Sequence, residues 1–82
     1  MPRFVLECTE HTDQQCEEMS REMEQQGVAE VLKGREFFCS CPHGYHAGWA
    51  VVEGPDAEAI LATLPPIFRA HAKAHEIETM QF

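Results

Sequence analysis

The chain predicts an α+β domain of ferredoxin-like type, βαββαβ, with a four-stranded antiparallel sheet and two helices on one face. Three observations predict it. Apolar residues alternate with period two in the segments that would be strands. A capping pattern opens a helix after the first of these, and Asp56 opens another after the third. Between the two middle strand-like runs, Pro42, His43, Gly44 and Tyr45 read as a hairpin turn. With 82 residues, the elements form a single domain, residues 1–82.

In order, Phe4, Leu6 and Cys8 lie on one face of a first strand, and Val5, Glu7 and Thr9 on the other. Thr12 and Gln15 fit a capping box for a helix that runs to about Gln26, where Gly27 is placed to end it. The apolar stripe of that helix is Cys16, Met19 and Met23. The chain from Val28 to Leu32 leads, through a bend at Gly34, into a second strand region ending at Cys41. A third strand is expected over residues 45–53, followed by a turn at Gly54 and Pro55. The second helix takes Ile60, Leu61 and Leu64 as its apolar face. Pro65 and Pro66 should kink or split it before Ile67 and Phe68, because proline removes a donor and clashes with the preceding turn. A last strand is expected at about residues 75–80.

The passage Ala47-Gly48-Trp49-Ala50-Val51-Val52-Glu53-Gly54, followed by a helix opening at Asp56, resembles the small ferredoxin-like proteins of the dimeric α+β barrel group. His11-Thr12 after the first strand and His46-Ala47-Gly48-Trp49 on the third are similar to motifs of small bacterial proteins of this kind. The resemblance implies the fold and a homodimer. Many members of the barrel group are enzymes acting on small aromatic or oxidised molecules, through residues that vary and that have no match here.

A net charge of −8 argues against nucleic acid and anionic membranes as partners, since both need a surplus of Lys and Arg. No apolar run reaches the ~20 residues of a membrane helix. The start of the chain lacks a signal-peptide layout, so a cytoplasmic protein with four reduced cysteines is expected. In a domain this small only about 60 % of the unfolded surface is buried, so a metal or a partner subunit would add needed stability.

The residues from Phe37 to Trp49 carry two of the four cysteines, two of the five histidines and the one tryptophan. In the expected topology the first and third strands are antiparallel central neighbours, which sets His11 near His46. The hairpin brings Cys39 and Cys41 to the same edge, and the first helix brings Cys16 in its first turn. His11 and Cys16 are five apart across one corner, and Cys41 and His46 five apart across another. Together they make a Cys2His2 set suited to Zn²⁺ in tetrahedral geometry, with Cys39 as an alternative ligand; copper and nickel accept the same donors.

Two other functions compete with metal binding. One is a small dimeric-barrel enzyme taking a small-molecule ligand, with His11 or His46 as base and a cysteine as nucleophile. The other is an interaction module whose cysteines are packing. His43, at the turn tip, reads as exposed, as does the pair His71 and His75. Glu7, Glu10 and Asp13 read as solvated carboxylates, or as acceptors behind His11. Val5, Trp49, Val51 and Phe38 form an apolar set on the sheet face away from the helices, which predicts a homodimer.

Overall fold

A computed structural model describes all residues, Met1–Phe82. Strand β1 (Arg3–Cys8) leads to helix α1 (Asp13–Gln26), then to β2 (Phe38–Cys39), β3 (Gly48–Glu53), helices α2 (Ala57–Ala62) and α3 (Pro66–Ala70), and β4 (Ala72–Glu76). The strands form one open antiparallel sheet in the order β2-β3-β1-β4. The class is α+β, with β1 and β3 central. It departs from a strict ferredoxin-like domain in its details, because β2 has only two residues and the second helix is two short pieces.

Local chemistry accounts for most of the element ends. Thr12 accepts from the Gln15 backbone N–H, while the Gln15 side chain accepts from the Thr12 N–H, so the capping box is complete. The Asp56 carboxylate caps α2 through the Ala59 N–H at 2.8 Å. Pro65 and Pro66 divide the second helix as expected, with Pro66 as the first residue of α3, where a missing N–H does no harm.

Four boundaries differ from the sequence expectation, the first being that β3 begins at Gly48 rather than Tyr45. The segment after α1 forms a 3-10 turn at Glu30–Leu32 rather than the lead-in to a strand. The second strand stops at Cys39, and Cys41–His43 is a 3-10 turn. Pro42 has no N–H to offer a ladder, and Gly44 closes the turn with φ 92, a conformation that glycine adopts without strain. The connection is therefore longer than a tight hairpin. The last strand begins at Ala72, because Cys8 pairs with Ala72 and Phe4 with Glu76. The alternation of residues 75–80 would have run past the end of β1, leaving no partner.

The registers place Phe4, Leu6, Cys8, Gly48, Ala50 and Val52 on the helix side of the sheet. Against them pack Met19, Ile60, Leu64 and Phe68. Leu6, Val52, Ile60 and Leu64 are fully enclosed, each adding roughly 1.5–3 kcal/mol through burial. The opposite sheet face holds Val5, Trp49, Val51 and Phe38 in register, with Val51 40 % and Phe38 58 % exposed.

One charged group lies in this interior. Glu22 on α1 is buried, and its carboxylate accepts from the N–H groups of Ile67 and Phe68 at 3.1–3.2 Å. Pro65 cannot cap α3 with its side chain. Glu22 does so from another helix, satisfying donors that would otherwise be orphaned and placing negative charge at a helix start.

Gly48 is required by packing. A Cβ there would fall inside the Phe37 ring, which lies across it and meets Phe68 edge-on at 6.1 Å. Gly48→Ala should displace Phe37 and lower unfolding free energy by roughly 1–3 kcal/mol, as overpacking does. Urea denaturation tests this, and an unchanged midpoint would show that Phe37 is not seated as described.

Candidate metal centre

Three corners of the fold deliver the site. After β1 the chain turns at Glu10, whose φ of 60 lies in the left-handed region, uncommon for a residue with a side chain. The turn is pinned by the Thr9 N–H donating to the His71 carbonyl at 3.0 Å. It folds His11 inward to 8 % exposure. Cys16 follows in the first turns of α1. Cys41 begins the 3-10 turn, and His46 lies just before β3.

The ligand atoms of His11, Cys16, Cys41 and His46 all lie within 4.8 Å of one another. The Cys41 Sγ to His11 Nε2 distance is 3.5 Å. Zn–S bonds of about 2.3 Å and Zn–N bonds of about 2.0–2.1 Å, set tetrahedrally, hold sulfur and nitrogen about 3.5 Å apart. One edge of the tetrahedron is thus already in place, and the widest pair would close by roughly 1 Å around an ion. Cys39 lies outside this set. The strand ends at Cys39 and Cys41 opens a 3-10 turn, so the regular strand that would have made them interchangeable ligands is interrupted.

His46 shows how the cluster is oriented. Its Nε2 is 2.6 Å from the Asp13 carboxylate, and its Nδ1 is buried with no hydrogen-bond partner. A carboxylate behind one ring nitrogen sets the tautomer and leaves a lone pair on the other, which is how metal-binding histidines are held. Asp13 thus serves His46, where the sequence reading had it as a solvated carboxylate or an acceptor behind His11. A buried Nδ1 without a partner is costly unless something ligates it.

Compared with protein-family models, curated proteins and solved structures, the chain finds no match.

The site must therefore be read from its own chemistry. All four cysteines are free. Burial pushes the Cys41 thiol up to about 12, with its interactions with the Cys39 and Cys16 thiols adding to the rise. Burial likewise holds His11 below its usual value; its backbone hydrogen bond with Thr9 opposes this, and His46 and His71 add to the lowering. Without an ion Cys41 and His11 are thus uncharged near neutral pH. Two thiolates and two imidazoles around M²⁺ carry no net charge. That balance suits a partly buried site.

The same shifts weigh against Cys41 and His11 acting as a nucleophile–base pair. Cys41 and His11 are close enough for a thiol–base pair, but an activated pair needs a lowered thiol and a histidine that takes its proton. Here both are shifted the other way.

Cys8 is 3 % exposed, and its thiol is pushed up to about 11, by burial first and then by Cys16 and Cys39. It stands behind the cluster, 3.9 Å from His11 Nδ1 and 3.7 Å from Met19 Sδ. His71 was missed as a neighbour of the site, its ring centroid being 6.1 Å from that of His11. The sequence reading placed it in an exposed pair with His75, but only His75, on β4, is exposed. The other three ring and chain neighbours of His11, namely His46, Cys41 and Cys8, were legible from topology.

Proposed function

We propose that this protein is a small metal-binding protein. His11, Cys16, Cys41 and His46 hold one divalent transition ion per chain, Zn²⁺ first. The observation that carries the reading is the buried, unpartnered Nδ1 of His46, whose other nitrogen is engaged by Asp13, in a cluster of two thiols and a second imidazole. Four protein donors fill a tetrahedron, leaving no position for substrate, so the role is to staple, store or sense rather than to catalyse. Elemental analysis of protein purified from metal-supplemented medium should find about one zinc per chain. Absence of stoichiometric metal, with melting indifferent to chelator and to added Zn²⁺, would sink the reading.

A homodimer is supported by the apolar row Val5, Val51, Trp49 and Phe38 on the open sheet face. Two such faces packed about a two-fold axis would cover each other. Val51→Lys should then shift the species seen by sedimentation from dimer to monomer at micromolar concentration, with helical content unchanged. A wild type that already sediments as a monomer removes the dimer.

A further inference from the structure

One cavity, of about 230 Å³, is lined by every cysteine of the chain and by Met19 and Met23. Phe37 and Phe68 add aromatic walls, and His11, Ser20 and Gly48 complete the lining. The four-donor zinc reading uses only Cys16 and Cys41 and leaves Cys39 unexplained. The Sγ atoms of Cys16 and Cys41 lie within 4.8 Å of one another, and Cys39 opens on the same cavity. Three thiols therefore share one sulfur-rich cavity.

We propose that Cys16, Cys39 and Cys41 form a second, trithiol site for a trivalent thiophilic metalloid hydroxide of the arsenite or antimonite class. Sulfur-only donors select soft acceptors, and charge decides among them. Three thiolates around Zn²⁺ carry one net negative charge and around Cu⁺ two. No Lys or Arg side chain lines the cavity to offset either. Three thiolates around As(III) are neutral. The step is a condensation, As(OH)3 + 3 RSH → As(SR)3 + 3 H2O. Three As–O bonds are replaced by three As–S bonds, each thiol proton leaves in a water molecule, and nothing is oxidised or reduced. The product is pyramidal, and its nonbonding pair needs no partner in an apolar cavity.

The inference rests on the metal reading only in that the two ions share Cys16 and Cys41, so they exclude each other. Metalloid binding would then expel zinc, which makes the site a metalloid-responsive switch.

The test adds sodium arsenite to the reduced protein without oxygen. Native mass spectrometry should show one arsenic gained and three hydrogens lost, with three of the four thiols blocked to titration. Cys39→Ser, at an exposed position, should abolish the three-thiol adduct and leave zinc affinity unchanged. His46→Ala should weaken zinc and leave the adduct intact. Zinc-loaded protein should release its ion to an indicator dye when arsenite is added. Protein that binds no zinc but forms a Cys39-dependent adduct would defeat the zinc reading and leave this one standing. An adduct blocking two thiols, or one indifferent to Cys39→Ser, overturns the proposal.

Discussion

Stripping the zinc-loaded protein with a chelator should lower its melting temperature by on the order of 15–30 °C. A ligand at a thousandfold excess over its Kd stabilises the native state by about 4 kcal/mol. In a domain of this size each kcal/mol moves the midpoint by roughly 4–8 °C. The effect is large because the core is thin, with a few enclosed aliphatic residues on one side of a single sheet. Cys41→Ser and His46→Ala should each remove both the bound metal and this stabilisation. Asp13→Ala touches no ion directly, yet should weaken binding by roughly 10–100-fold, since it frees the ring of His46. Cys8→Ser should lower melting without changing metal content, because it places a hydroxyl in the packed interior. Differential scanning calorimetry with and without chelator, alongside elemental analysis, checks all four. If Cys8→Ser and Cys41→Ser behave alike, the cysteines are acting through packing.

Glu22→Ala should lower unfolding free energy by roughly 2–4 kcal/mol, a large share of what so small a domain has. The carboxylate accepts from two N–H groups at the start of α3, and the alanine variant would leave both without a partner. A cavity would add to the loss. Glu22→Gln should cost less, because an amide oxygen still accepts from the helix while its NH2 does not. Urea denaturation of the pair gives the comparison. Equal losses would mean that the volume of the side chain matters and its acceptors do not.

The two cases mark different depths of legibility. The zinc-type cluster could be read because each pair straddles a corner visible in the sequence, and because β1 and β3 are neighbours in the expected topology. Glu22 could not. It lies among Glu, Gln and Arg on α1, where a carboxylate is ordinarily solvated, and its partners are backbone groups 45 and 46 residues away. Nothing in residue type marks that pairing. The Asp13 carboxylate was visible near the cluster, but its choice of His46 over His11 depends on side-chain direction at the first turn of α1.

Local chemistry by itself determined the α+β class, the capped helices, the break at Pro65 and Pro66, and the inward alternation of Phe4, Leu6 and Cys8. Each depends on near neighbours in the chain, which is why residue pattern suffices. Tertiary structure alone decided where the ladders stop. β2 ends at Cys39 because the turn at Pro42 withdraws the backbone, and β4 begins at Ala72 because β1 offers partners only from Phe4 to Cys8. It also decided that Cys39 leaves the four-donor cluster yet opens on the same cavity as Cys41, and that His71 stands against His11. Strand ends and side-chain neighbours are properties of the partner segment, and the partner lies tens of residues away.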